Sequence, residues 1–500
     1  MTTLSVSDGT AADLKGDALV FVSVQTEKGA ALAPGHGLGE ETVAHLESAL
    51  SILKAKGEVD EVVKLVAVPG VTAAMVVITG AGKVAAQGSA LSAEAIRRAV
   101  GSATRQLSGL AKVVVLAPGE GATEATAAAE GALFGAYTIT SVAAGPVSAP
   151  VKSLTVVTPA ARDRNLRSAV KRAVALGKAT SYARDLVNQA PNELYPETFA
   201  AAIKKRAVGT DVKVAVLDES GLARGAFGGH LTVGAGSARG PRLVTLRYAP
   251  AKAKAKKHIA FVGKGVTFDS GGLAIKPTKS MTTMKCDMAG AAAVASAVFA
   301  IAELGLPVEI TAHLCLAENL PGPSACRPGD VVTIRGGKTV EINNPDAEGR
   351  MVLADGLALA SEKKPDLIID IATLTGAAVA ALGHRTAAFL SNDDDLRNAV
   401  KDIADAAGEP FWPFPLLEDI RPTLDSAVAD LLQSGPIGVI YAGWFLAEFI
   451  GRGKNGQPIP WAHLDIAGPA FNDEAPWGYT PKQGTGFGIR TLVGIAESQA

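Results

Sequence analysis

The sequence predicts an α/β protein of two domains, a small N-terminal α/β domain and a larger C-terminal α/β domain with a twisted, mostly parallel central sheet. Three observations predict it. Short β-rich runs alternate with helical patterns along most of the chain, as they do when strands are joined through crossover helices. The runs at 259–262 and 351–360 are apolar on nearly every side, the pattern of elements covered on both faces. Finally, Asn188-Gln189-Ala190-Pro191-Asn192 interrupts a helical stretch sharply.

In residues 1–165 the segments 18–24, 62–68, 74–79, 112–116 and 154–157 read as strands, and 40–56, 92–108 and 123–136 as helices. This region contains Gly80-Ala81-Gly82-Lys83-Val84-Ala85 after a strand, formally a GxGxxA dinucleotide pattern. The next strand ends at Ala117-Pro118-Gly119 without an acid to hold a ribose hydroxyl, so the nucleotide reading is disfavoured. A basic helical stretch follows, and its charges read as a solvated face. The linker helix is set at 166–185 and the second domain at 186–500.

In that domain 212–217, 243–247, 258–262, 309–316, 367–370 and 388–390 read as strands, and 197–206, 288–304, 350–362 and 394–406 as helices. Ligands of such sheets gather beyond the carboxyl ends of the strands. Lys264, Asp269 and Thr373 all follow a predicted strand end. The basic run Lys252–Lys257, alternating with alanine, reads as a hairpin tip rather than a nucleic-acid patch, which would want aromatics nearby.

Composition narrows the function classes. The net charge is −1, so no global field recruits nucleic acid or anionic membrane. This disfavours DNA binding but leaves a local patch open. The three cysteines, Cys286, Cys315 and Cys326, form no CxxC pair, as expected of a reduced cytoplasmic protein. Residues 1–17 lack a basic segment followed by an apolar one, and the small-apolar run 290–302 is too short to span a bilayer. There is neither GxSxG nor HExxH, and Lys264 is not preceded by a phosphate-binding glycine pattern. His313, His384 and His463 read as structural.

What remains is acidic. Residues 341–351 place Asp346, Glu348 and Arg350 at alternate positions before the apolar run 351–360. The bland reading makes Asp346 the N-cap of that helix. Upstream, Gly263-Lys264-Gly265, Phe268-Asp269-Ser270-Gly271-Gly272, Lys276 and Lys285-Cys286-Asp287-Met288 read as a strand emptying into a glycine-rich loop. Asp287 would also serve as an N-cap. Together Asp269, Asp287, Asp346 and Glu348 form an inventory suited to two divalent cations, which clamp hydrolytic transition states.

These segments resemble the leucyl (cytosol) aminopeptidase family at matching spacings. Ala317-Glu318-Asn319, Arg327-Pro328-Gly329-Asp330, Thr373-Leu374-Thr375-Gly376, 461–468 and Gly484-Thr485-Gly486-Phe487-Gly488 extend the likeness. It covers about residues 180–495 strongly. The resemblance implies a metal-dependent aminopeptidase that releases leucine and other apolar residues from peptides with a free N-terminus. Lys264, Asp269, Asp287 and Glu348 would hold one ion, and Asp269, Asp346 and Glu348 the other, as Mn²⁺, Zn²⁺ or Mg²⁺. A metal-bridging hydroxide would attack, Lys276 would stabilise charge on the carbonyl oxygen, and Arg350 would anchor a bicarbonate as general base. Met284, Thr373, Leu374 and Gly376 match positions lining the pocket for the first side chain. The N-terminal domain would be accessory, and the assembly a homohexamer.

Two departures stand at the central motif: Pro345 where threonine is usual and Met351 where leucine is usual. Methionine for leucine is nearly volume-neutral. Proline removes an N–H but suits an extended loop, so metal binding is expected to persist with altered affinity. Pro469 after Gly468 is a third departure. Another two-metal hydrolase, such as a phosphoesterase, is the alternative reading of the same acids.

Overall fold

A computed structural model describes residues 2–10, 15–35, 37–84, 90–139, 148–250 and 257–500. The chain divides into two compact units, one of Met1–Ser181 with Glu474–Lys482 and one of Tyr182–Asp473 with Gln483–Ala500.

The first unit is built on a seven-stranded sheet. Its order is Thr3–Ser7, Ser153–Val157, Lys112–Leu116, Ala18–Thr26, Met75–Lys83 and Val62–Val66, with Gly29–Leu32 paired to Ala18–Thr26 as well. Valine-rich strands suit a sheet covered on both faces, and apolar clusters lie on each side of this one. The helix Ala93–Arg105 starts where Ser92 accepts the Ala95 N–H. The GxGxxA segment does not form the strand–turn–helix of a nucleotide site. Gly80, Gly82 and Lys83 lie within the strand, and the next described helix begins ten residues past its end. Ala85 lies outside the described residues, as do 252–256 of the basic run.

The returning segment Glu474–Lys482 is anchored in this first unit. Gly478 donates its N–H to Asp60 Oδ1 (2.5 Å), and its carbonyl accepts from Arg105 Nε (3.1 Å). The Tyr479 hydroxyl lies 2.9 Å from Glu94 Oε1.

The second unit carries an eight-stranded sheet, in the order Phe411–Pro413, Ala387–Ser391, Trp461–Asp465, Leu367–Ala372, His258–Asp269, Glu309–Asn319, Arg242–Tyr248 and Val212–Leu217. Its four middle strands are parallel, and antiparallel pairings flank them. The middle strand His258–Asp269 is more than twice as long as the sequence predicts. Lys264 therefore lies inside a strand rather than in a loop beyond it. The glycines that suggested a break serve packing instead. A Cβ on Gly263 would fall 2.7 Å from Ala291 Cα, so glycine lets the helix Ala289–Leu304 lie directly on the strand.

Alternate residues of the strand face the other way. A Cβ on Gly356 would meet Val262 Cγ1 at 2.7 Å, which places the helix Glu348–Glu362 on the opposite face. Both helices are almost wholly buried, which explains why neither shows a polar side in the sequence. The segment Met284–Leu304, at 21 residues, is long and apolar enough to cross a membrane, contrary to the shorter run expected. Since 83% of its apolar window is buried inside the fold, it is the core helix of this unit.

Candidate metal centre

Four segments converge at the carboxyl end of the central strands. His258–Asp269 supplies Lys264 and Asp269, and Lys276 follows on the succeeding loop. The short turn Met284–Cys286 leads to Asp287, which is not the N-cap of the following helix because that position falls to Met288. Asp346 is not the cap of its helix either. Ala347 occupies the position, without a side-chain cap. Glu348 instead stands in the first turn, where the helix N-terminus favours a carboxylate.

The two lysines bridge the acids in pairs. Lys264 Nζ stands 2.8 Å from Asp287 Oδ1 and 2.8 Å from Glu348 Oε1, and donates to the Thr373 carbonyl at 2.8 Å. Lys276 Nζ lies 2.8 Å from Asp269 Oδ2 and 2.5 Å from Asp346 Oδ1. Carboxylate oxygens of Asp269, Asp346 and Glu348 all lie within 4.8 Å of one another. Thr373 Oγ1 donates to Asp287 Oδ1 at 2.8 Å, which ties the turn beyond Leu367–Ala372 to the same group. Helix and strand meet closely here, for a Cβ on Gly349 would lie 2.6 Å from Lys264 Nζ.

The electrostatics show a shortage of positive charge, since four carboxylates face two ammonium groups. Burial, reinforced by Glu348, holds Asp269 above the usual carboxylate range. Burial likewise raises Asp287 well above it, against the lowering effect of Lys264. Asp346 is raised too, by burial and then by Asp269. Burial pulls Lys264 down, but Asp287, Glu348 and Asp269 outweigh it and keep its ammonium above its ordinary value. The same balance, with Asp269 and Glu348 as partners, raises Lys276.

The remaining predicted residues lie around this group. Arg350 is buried. Its Nη1 donates to the Gln433 carbonyl at 2.9 Å, and its guanidinium carbon sits 5.9 Å from the Tyr441 and Phe445 ring centres. Burial pushes its pKa down to about 10. Arg350 Nε has no hydrogen-bond partner among the described residues. Met284 is half-buried in the turn before Asp287, Leu374 is half-buried, and Gly376 is exposed at the start of the helix Gly376–Leu382.

Three further residues give the site its shape and escaped the reading of the sequence. Asp465 accepts from Leu374 N (3.1 Å) and Thr375 Oγ1 (2.7 Å) and so holds the 373–376 turn. Asn319 donates to Asp269 Oδ1, and Gln433 reaches the loop before Glu348. Asn319 and Asp465 were visible only as parts of motifs, and Gln433 carries no local signal at all. His463 is buried and lies 2.5 Å from Asp370 Oδ1, whose partner oxygen accepts from Trp461 Nε1; His313 lies 3.1 Å from Thr245 Oγ1.

The residues fit divalent cations. Asp287 Oδ2 is buried with no hydrogen-bond partner among the described residues. Glu348 Oε1 and Asp346 Oδ1 meet their lysines only as ion pairs. Buried carboxylates left this way are costly unless a cation joins them. An all-oxygen set with one amine suits Mn²⁺, Mg²⁺ or Zn²⁺.

Comparison with known proteins bears on the whole chain. The sequence pattern of the cytosol aminopeptidase family, catalytic domain, matches residues 181–493, and that of its N-terminal domain matches residues 19–143. A probable cytosol aminopeptidase of Streptomyces griseus subsp. griseus is 48% identical over 100% of this chain and 99% of its own length. One from Rhodococcus erythropolis is 40% identical, over 97% of this chain and 95% of its own. Among solved structures, the bottromycin maturation enzyme BotP in complex with Mn superposes with a TM-score of 0.83 at 37% identity, covering 97% of this chain and 99% of that one.

Proposed function

The chain belongs to the cytosol aminopeptidase family, a family of metal-dependent hydrolases, and from that premise we propose that it releases leucine and other apolar residues from peptide N-termini at the acid cluster described above. The observation that carries the reading is the convergence of Asp269, Asp346 and Glu348 within 4.8 Å, beside the Asp287–Lys264–Glu348 bridge. Asp269, Asp287, Asp346 and Glu348, with Lys264 once neutral, would hold two divalent ions, Mn²⁺ or Zn²⁺ before Mg²⁺. Bound there, such ions supply Lewis acidity to an attacking water and to the scissile carbonyl.

The rest of the chemistry falls to side chains. Lys276 keeps its proton in the field of Asp269 and Glu348, and its ammonium would meet negative charge as it develops on the carbonyl oxygen. Arg350, whose Nε has no hydrogen-bond partner among the described residues, is read as the anchor for a bicarbonate that carries the proton away. No histidine is then needed for acid–base work. Met284, Thr373, Leu374 and Gly376 would line the pocket for the first side chain, and Thr373 couples that pocket to Asp287. A cytoplasmic homohexamer completes the reading, which sedimentation of the purified protein checks.

The deciding experiment compares leucyl-p-nitroanilide with p-nitrophenyl phosphate, before and after chelation and on re-addition of Mn²⁺ or Zn²⁺. Cleavage of the anilide alone, lost on chelation and restored by metal, is the expected result. Phosphatase activity without anilide cleavage, or anilide cleavage indifferent to chelator, overturns the proposal.

A further inference from the structure

The loop that leads into Glu348 carries Asp346 and contains a proline, so it has few backbone donors with which to fix itself. Its backbone is held by two buried amide side chains from elsewhere in the fold. Asn319, at the end of the strand Glu309–Asn319, is 3% exposed. Its Nδ2 donates to Asp269 Oδ1 at 2.8 Å and to the Pro345 carbonyl at 3.1 Å. Both protons of that amide are spent on two segments that each bear acids of the cluster. The Asn319 carbonyl is engaged as well, accepting from Ser270 N (3.0 Å) and Ser270 Oγ (2.8 Å).

Gln433 follows the short strand Leu431–Leu432 and is 1% exposed. Its Oε1 accepts from Asn343 N (3.3 Å) and Asn344 N (3.1 Å), while its Nε2 donates to the Ala347 carbonyl at 3.1 Å. Its main-chain oxygen takes Arg350 Nη1 at 2.9 Å. One residue thus fixes both ends of the loop and the guanidinium beyond it.

We propose that Asn319 and Gln433 are paired positioning residues: Asn319 sets the spacing between Asp269 and the Asp346 loop, and Gln433 sets the orientation of that loop together with Arg350. The inference rests on the metal-dependent reading above. Neither amide is among the groups assigned to cations or substrate, so each acts through others. Partners of this kind orient metal ligands and tune their affinity. Pro345 makes the arrangement more exacting, since it has no N–H and its carbonyl is already taken by Asn319.

The test uses the full-length protein, its Asn319→Ala, Asn319→Ser and Gln433→Ala variants, and the double alanine variant. Mn²⁺ affinity is measured by calorimetric titration of metal-free protein, Tm is measured without metal, and kcat and KM are measured at saturating Mn²⁺. Asn319→Ala is expected to weaken Mn²⁺ binding about 10–100-fold, with Asn319→Ser, which keeps one donor, in between. Gln433→Ala is expected to lower kcat at saturating metal by a similar factor with little change in KM. The double variant should fall short of the product of the two effects, because they share a loop. Should Asn319→Ala fail to fold, Asn319→Ser and Gln433→Ala decide the matter. Variants that lower only the metal-free Tm, with Mn²⁺ affinity and kcat of the folded protein unchanged, overturn the inference. Wild-type protein that binds no Mn²⁺ overturns the metal-dependent reading itself, a separate outcome.

Discussion

Gly349 and Lys264 are fitted to one another: a methyl group on the glycine would sit 2.6 Å from the lysine ammonium. That ammonium cannot swing aside, because Asp287, Glu348 and the Thr373 carbonyl hold it at 2.8 Å each. Gly349→Ala should therefore cost about 1–3 kcal/mol of stability, the usual penalty for overpacking a filled site. It should also weaken divalent-metal binding, since Glu348 must shift with the helix. Urea denaturation and metal titration of the variant check both.

Lys276 is a charge on a flexible stem, and methionine reproduces the stem without the charge. If the ammonium stabilises a developing oxyanion, Lys276→Met should lower kcat by about 100–1000-fold. Metal content should be retained or rise, because the ammonium otherwise pairs with Asp269 and Asp346. Kinetics combined with elemental analysis distinguish this from simple loss of metal.

His313 predicts a pH dependence of stability. Burial pushes it down to about 3, and Arg247 is the next contributor in the same direction. Unfolded, it titrates near its ordinary value of about 6.5. A group depressed in the folded state binds more protons when unfolded, so its contribution is full above pH about 6.5 and is lost as pH falls toward 3. His313→Gln should flatten this part of the stability profile, read from denaturation midpoints between pH 4 and pH 7.

Asp465 is the support of the 373–376 turn. Asp465→Ala would strip acceptors from Leu374 N, Thr375 Oγ1 and Ala467 N, and each buried donor left bare costs about 1–3 kcal/mol. A loosened turn should blur selection of the first side chain. The ratio of kcat/KM for leucyl and alanyl anilides is expected to fall toward unity while metal affinity stays close to wild type.

The acids were legible in the sequence because charged residues flanking wholly apolar runs are conspicuous. The alternation of strands and helices was legible for the same reason, with ends misplaced by a few residues. The strand through Lys264 was cut short because Gly263 and Gly265 look like a break. Only the nearby backbone of Ala291 at Gly263, and the Leu316 side chain and Cys315 carbonyl at Gly265, reveal them as contact residues. Gln433 could not be found at all. A glutamine after a short strand is unremarkable until the chain brings it beside a loop ninety residues earlier in sequence. Asp465 was visible only inside the 461–468 stretch, and its role was not, because its partners are backbone and hydroxyl groups of a distant turn. Sequence shows what a residue can do, whereas these roles depend on which backbone groups are left without a partner.

The path of the chain has one practical outcome. Because Glu474–Lys482 is anchored in the first unit while the residues on either side belong to the second, the polypeptide passes between the units three times. A single protease cut near residue 181 would leave the fragments tied together by that returning strap. A shortened gene starting at Tyr182 would yield a protein that lacks Asp60 and Glu94, the residues that Gly478 and Tyr479 meet in the first unit.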